Sequence, residues 1–406
     1  MATLEPDFAA QLLAFLDAKQ TERIDMPVLQ PADPFLDMAG ESLRGRIFLT
    51  ESETGDSLCL RPEFTIPVCR DHVASGVSVP RRYAYLGEVF RQRRAGGSEF
   101  FQAGIEDIGD TDNAAADARS LADALDLVTT IAPAAEWRVT VGDQAIFEAV
   151  VSALGLPRGW RRKLARAFGT EGQIESLIAA LGRPRAAPRD LPKPVADALE
   201  DGDAGGLLDA VAGCMEELGF TAASGRSAGE IATRLIEQTI LDRARLSPDE
   251  VAVLRDFLGI RVPLAEAERA LRAFAGRLVD GDGETMGDVI AAFAERVARL
   301  AERGVALDRF IYDAAFGRPL DYYTGLVFEI APRVITGKVE AGIPSAIADS
   351  PRNAGVAPVV GGGRYDRLLT LLGAESPIPG VGFSVWIDRL DEARITRQGA
   401  RQEGAS

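Results

Sequence analysis

The sequence predicts an α+β protein in which one sheet domain is built from both ends of the chain and interrupted by a helical block. Runs rich in β-branched and aromatic residues, bounded by turn-formers, occur up to about residue 142 and again from about 306. Between them the apolar residues recur at helical spacing. Strand-rich ends around a helical middle are the mark of an inserted module.

In chain order, Phe8, Leu12, Phe15 and Leu16 give the first stretch an amphipathic opening helix. "YAYLGEVF" (83–90) reads as a strand, as does "WRVTV" (137–141), where Trp137, Val139 and Val141 alternate with Arg138 and Thr140. The segment 1–142 is thus the first part of the sheet domain. Residues 143–305 read as a string of helices that packs on itself or on a partner. Leu271, Phe274 and Leu278 share one helix face and Val289, Phe293, Val297 and Leu300 another, with Gly304 as a stop. "GRPRAAPRDLP" and "LVDGDGETMG" are connecting loops. Strand texture returns over 306–392 in "LDRFIYD", "LVFEI", "PVVGGGRYDRLL" and "GVGFSVWIDRL". A Pro-, Ser-, Ala- and Gly-rich stretch, 332–358, reads as a surface loop, and 393–406 as a polar tail expected to fray.

The bulk numbers narrow the function. The chain has 406 residues, 47% hydrophobic, enough for more than one domain. A formal net charge of −16 argues against an electrostatic grip on a phosphate backbone. Cys59, Cys69 and Cys214 are widely spaced with no CxxC, which reads as reduced thiols in a cytoplasmic protein without structural zinc. His72 is the only histidine, so a His-based metal site or a Ser-His-Asp triad has almost nothing to draw on. The start has no basic region before its apolar residues, and no run approaches the roughly 18 apolar residues of a membrane span. No metal, cofactor or membrane is expected.

Four stretches put ionisable groups where strand patterns predict partial burial. "CLRPEFTIP" carries Arg61, Glu63 and Thr65, alternate residues expected to share one strand face. "EVFRQRRAGGSEFFQAGIEDIG" carries Arg91, Arg93 and Arg94, then Gln102 and Glu106. "GRPLDYY" carries Arg318, Asp321, Tyr322 and Tyr323, and "GGGRYD" with "GFSVWIDRL" adds Tyr365 and Arg389. Singly, each has a plain structural reading. Arg91 to Arg94 suit a solvated hairpin tip, and Gly361-Gly362-Gly363 a tight turn or bulge. Asp321 suits backbone donors at a strand start, and Arg389 an ion pair with Glu63 or Glu106. Together they place charges among apolar neighbours in four separate places. Burying unpaired charge is expensive, so one shared polar pocket is the economical reading.

In this order the stretches resemble the catalytic core of class II histidyl-tRNA synthetases. "LRPE" with Thr65, "FR" with "FQAGIE", "RPLDYY", "GGGRYD" and the closing "GVGF…DRL" carry the likeness over roughly 1–142 and 306–392. It implies a class II aminoacyl-tRNA synthetase-like antiparallel sheet flanked by helices, and a pocket for free histidine. On matching positions, Glu63 and Thr65 hold the α-amino group, and Gln102 and Glu106 lie beside the amino acid. Tyr322 and Tyr323 frame the imidazole with Tyr365 nearby, and Arg91 and Arg318 face the carboxylate. Arg91 and Arg389 match phosphate-contacting arginines, which implies residual phosphate binding.

The likeness also breaks. The family's Arg-x-Glu is Arg91-Gln92-Arg93 here, a cation in place of a base-recognising carboxylate, and Pro319 stands where the family has glycine. No anticodon-binding domain is expected after the last motif, and with the acidic charge this makes tRNA a poor partner. A core of this kind resembles the regulatory subunits of ATP phosphoribosyltransferase. That resemblance implies a non-catalytic chain, forming a class II-type dimer, that assembles with a short catalytic subunit in the first step of histidine biosynthesis. It also implies a part in feedback inhibition by L-histidine, bound in this pocket or near the subunit interface. The alternative is a free-standing enzyme that makes histidyl-adenylate.

Overall fold

A computed structural model describes residues 4–38, 41–93, 97–170, 172–183, 191–219, 226–278, 283–318, 320, 322–333 and 357–403. Pro319, Asp321, Arg94 and most of the 332–358 loop lie outside them. The first segment contains α1 (Pro6–Ala18), β1 (Glu22–Arg23), β2 (Leu29–Pro31), α2 (Asp33–Met38), α3 (Glu41–Arg44), β3 (Leu49–Glu51) and β4 (Ser57–Leu60). It continues with α4 (Thr65–Ser75), β5 (Arg81–Phe90), β6 (Glu99–Ile108), α5 (Asn113–Ile131) and β7 (Trp137–Asp143). Next come α6 (Gln144–Ala153), α7 (Arg158–Ala167), α8 (Gln173–Leu181), α9 (Lys193–Asp201), α10 (Ala204–Glu217), α11 (Ala228–Arg243) and α12 (Pro248–Leu258). Then follow β8 (Arg261–Pro263), α13 (Ala267–Ala275), α14 (Gly283–Glu302), β9 (Phe310–Asp313), β10 (Leu326–Pro332) and β11 (Val360–Arg364). The last elements are α15 (Asp366–Leu371), β12 (Gly380–Trp386) and α16 (Ile387–Glu403).

Nine strands form one sheet in the order β1-β5-β6-β12-β11-β10-β7-β9-β8. Its centre is antiparallel, while β1–β5 and β7–β9 are parallel pairs nearer the edges. A second, three-stranded sheet runs β2-β4-β3. Strand alternation divides the large sheet between two cores. One face carries Ala84, Ala103, Ile105, Phe328, Phe383 and Val385 against α1, α5 and α14, an apolar layer. The other carries Tyr83, Tyr85, Phe100 and Trp386 beneath α4 and α15, and is rich in aromatic and polar side chains. The candidate site lies on this second face.

Several expectations change. Thr65 does not continue a strand from Arg61 and Glu63: β4 ends at Leu60, and Thr65 opens α4. Pro67 falls in that helix's first turn, where a missing N–H costs nothing. The Gly361–Gly363 run is neither turn nor bulge but regular strand, paired on both sides. The block 143–305 also contributes β8 to the sheet edge. Its helices divide: α9, α10 and α11 close a small core of their own around Val195, Leu207, Val211 and Ala232. Others, α14 above all, join the main apolar layer through Met286, Ile290, Phe293 and Leu300. The polar end of the chain continues as helix to Glu403.

Candidate functional site

The central strands set cavity-facing residues in cross-strand rows. Tyr83, Glu106, Gly382, Gly363 and Val327 stand in one row, and Tyr85, Gly104, Ser384, Gly361 and Glu329 in the next. Glycines in the middle of both rows hollow the sheet surface. A Cβ on Gly382 would lie 1.8 Å from Glu106 Oε2, and one on Gly361 would lie 2.2 Å from Arg318 Nη1. Only a bare backbone lets those two side chains lie flat on the sheet.

Above this floor is a cavity of about 190 Å³. Eight of the ten residues expected from sequence line it: Glu63, Thr65, Arg91, Gln102, Arg318, Tyr322, Tyr323 and Tyr365. Glu106 lies directly beneath, fully buried. Its Oε1 accepts from Thr65 Oγ1 at 2.7 Å and, more weakly, from the Tyr85 hydroxyl at 3.4 Å, while Oε2 accepts from the Tyr365 hydroxyl. Burial pushes the Glu106 carboxyl up to about 8; the hydroxyls pull it back and Glu63 pushes it further up. Glu106 therefore holds its proton to higher pH than an ordinary carboxyl does.

Glu63 caps α4, its carboxylate accepting from the backbone N–H of Thr65 at 2.7 Å and Ile66 at 2.9 Å. Arg91 donates to the carbonyl of Pro62 at 2.6 Å, and burial lowers its pKa to about 10 against the pull of Glu63. Arg318 pairs with Glu329 at 3.0 Å. Tyr322 packs between the other two phenols, its ring 4.9 Å from Tyr323 and 6.1 Å from Tyr365. Two buried polar atoms of the lining have no hydrogen-bond partner among the described residues: Gln102 Oε1, an acceptor, and Arg318 Nε, a donor.

Arg389 is outside this constellation. It makes no ion pair with Glu63 or Glu106; its guanidinium donates to the Pro358 carbonyl and lies 4.7 Å from the Trp386 ring centroid. Arg61 is structural, donating to the carbonyls of Glu88 and Met26 and lying 4.0 Å from the Phe64 ring centroid. Arg93 pairs with Asp388 at 3.0 Å and lies 3.5 Å from the Phe100 ring centroid. Arg91 reaches the cavity, so this stretch is not simply a solvated hairpin tip. Sequence reasoning missed Tyr85, Ser384 and Trp386. Tyr85 donates or accepts with Ser384 Oγ at 2.7 Å, and Ser384 and Trp386 line the cavity. Their one legible signal is phase, since each sits two residues along a strand from another inward-facing position.

A central antiparallel sheet with a polar amino-acid-sized cavity under a capped helix defines a class II synthetase-like protein. The family model described as Histidyl-tRNA synthetase matches residues 2–201. Solved structures agree on the fold. A histidyl-tRNA synthetase from Nostoc sp. PCC 7120 superposes with a TM-score of 0.60 at 15% identity, over 97% of this chain and 72% of that one. An ATP phosphoribosyltransferase regulatory subunit/histidyl-tRNA synthetase from Bacillus halodurans gives 0.59 at 20% identity, over 97% and 81%. In sequence, the ATP phosphoribosyltransferase regulatory subunit of Mesorhizobium japonicum is 53% identical over 97% of this chain and 99% of its own length. That of Chelativorans sp. is 50% identical with the same coverage. The chain belongs to the family of ATP phosphoribosyltransferase regulatory subunits, and its role is regulatory rather than catalytic. Among the described residues no helix is long and apolar enough to cross a membrane, and no cluster of His, Cys, Asp and Glu is set to hold a metal ion.

Proposed function

We propose that the cavity binds free L-histidine and that the chain, assembled with an ATP phosphoribosyltransferase catalytic subunit, conveys feedback inhibition through it. The observation that carries this reading is the pair of unmet atoms, Gln102 Oε1 and Arg318 Nε, in a cavity that also holds Glu63 and Arg91. A zwitterionic amino acid brings a matching ammonium and carboxylate. The ammonium goes to Glu63, Thr65 and Gln102, and the carboxylate to Arg91 and Arg318. Tyr322 and Tyr323 frame the imidazole, with Tyr365 and Glu106 behind it. Charge-assisted hydrogen bonds of this kind contribute about 1.5–3 kcal/mol each. About 190 Å³ suits one amino acid and is small for a nucleotide. Regulation then requires that histidine bind differently to two states of the assembly. We further propose a class II-type dimer, a cytoplasmic location and no tRNA partner, the last supported by the net charge of −16.

Two measurements test this. Millimolar L-histidine should raise the melting temperature of the full chain by several degrees, and Glu106→Ala or Tyr322→Phe should shrink that shift. A flat response would leave the pocket an inherited scaffold. Titration into a short-form catalytic subunit, following phosphoribosyl-ATP by absorbance, should give activity that saturates at a fixed ratio and falls on adding histidine. Robust histidine-dependent ATP–pyrophosphate exchange by the chain alone would favour the adenylating enzyme instead.

A further inference from the structure

A second, larger hollow, about 810 Å³, lies beside the histidine cavity and shares Leu320 and Tyr323 with it. It is lined by α2, α4, α6, α7 and α15, elements far apart in sequence. Six arginines converge there: Arg70, Arg158, Arg161, Arg162, Arg166 and Arg367. The carboxylates in the same lining are Asp33, Asp37 and Glu148, and Glu148 is already held by both Arg367 and Gln144. The hollow is therefore cationic in a chain whose net charge is −16.

Helix α7 breaks local rules to make it so. "RGWRRKLARA" carries five cations and no acid, and Arg158 stands at its first turn, where the helix dipole disfavours positive charge. Arg158 with Arg162, and Arg162 with Arg166, are like-charge pairs one turn apart, each destabilising an isolated helix. Trp160, Leu164 and Ala167 take the buried side, which turns these arginines toward the hollow. Among the described residues Arg158 and Arg162 have no ion-pair partner, and Arg161 donates to the Ser152 hydroxyl at 3.0 Å. On the opposite wall Arg70 donates through Nη2 to Gln30 Oε1 at 2.9 Å, while its buried Nη1 has no hydrogen-bond partner among the described residues. Rule-breaking concentrated on one surface is the pattern of a site, not of a scaffold.

Every cation in the lining is arginine, whose planar fork matches phosphate oxygens in pairs. The volume lies in the range of small-molecule sites, and the walls are concave where an acidic protein surface would need a broader, flatter face. We propose that this hollow binds a phosphate-bearing small molecule of the nucleoside or sugar polyphosphate class. The inference does not depend on the histidine reading.

The test is calorimetric titration of the full chain with inorganic pyrophosphate and, separately, with ATP, at moderate salt. Saturable binding at one site per chain is expected, weakened about tenfold or more in the double variant Arg161→Glu, Arg162→Glu. Binding of ATP tighter than pyrophosphate would point to a nucleoside source; equal binding would point to the phosphates alone. Lys163→Glu, on the same helix but outside the lining, is the control and should bind as the parent does. Arg389→Ala reports on the other candidate phosphate contact and should also leave binding intact. Absence of saturable heat, equal loss in Lys163→Glu, or loss only in Arg389→Ala would overturn the proposal. So would tight binding of single-stranded RNA with none of pyrophosphate.

Discussion

Two sets of buried charge lie on opposite faces of the same sheet. On the α5 side, Asp117 takes Arg364 at 2.6 Å and Arg296 at 2.7 Å, and Arg296 reaches on to Asp143 at 2.9 Å. Asp143 also accepts from the backbone N–H of Ala145 and Ile146, and Arg364 pairs with Asp366 at 2.8 Å. Each charge has an ion-pair partner within the chain, although Asp117 Oδ2 makes no hydrogen bond among the described residues, and the network fastens α14, β11 and the end of β7 to α5. On the cavity side Arg318 pairs with Glu329, but Gln102 Oε1 and Arg318 Nε have no hydrogen-bond partner among the described residues, and burial raises the Glu106 carboxyl to about 8. The difference is that the first set is paired throughout by opposite charges, whereas the second mixes charges with uncharged polar groups around an open cavity.

The comparison breaks first at Asp117. Asp117→Ala removes the carboxylate that two buried arginines share, leaving Arg296 with Asp143 and Arg364 with Asp366, and should lower unfolding free energy by about 3 kcal/mol in chemical denaturation; a loss under about 1 kcal/mol would remove the network from the scaffold. Next in size is the pH response of Glu106. Burial raises its folded-state pKa to about 8, so the native chain keeps a proton that the unfolded chain releases above the ordinary carboxylate range. Stability from this group is full at low pH and is lost as pH rises toward and through about 8, by up to about 1.4 kcal/mol per pH unit. Glu106→Gln cannot ionise, so the parent should lose stability relative to it between about pH 5 and 8. Parallel curves would contradict a neutral Glu106. The smallest effect sharpens the cavity alone. Gly382→Ala should cost about 1–3 kcal/mol and, by displacing the Glu106 carboxyl, abolish stabilisation by histidine. A retained histidine shift would mean that Glu106 does not shape the ligand site.

Much of the sheet was legible because its strands alternate cleanly: Trp137, Val139 and Val141 are all buried, and the arginine and threonine between them are not. The cavity was legible through motif order, since four separate stretches kept their charges among apolar neighbours. What failed was local. Alternation suggested a strand through Thr65, but a proline three places into a helix is a start signal that outranks it. Tyr85 and Trp386 on apolar strands look like core until their neighbours across the sheet are known. Short β8, three residues between helices, has too little pattern to read. The arginine hollow is invisible for a different reason. Arg70, the α7 cluster and Arg367 are brought together only by tertiary packing.

The position of β6 in the sheet has a consequence for how the chain is made. Ile108 pairs with Gly380, so the inner edge of β6 waits for roughly 270 further residues before β12 covers it. At about 5–20 residues per second that is on the order of ten to fifty seconds on the ribosome with an unpaired edge. An exposed flat edge invites pairing with another nascent chain, and charges set into the strand discourage it. Glu99, Glu106 and Asp107 lie along β6. The carboxyl that lies beneath the cavity in the finished protein is, during synthesis, still free to be solvated and ionised. A charge at that position opposes edge-to-edge pairing of the half-made sheet, the opposite of the buried setting it takes up once β12 is in place.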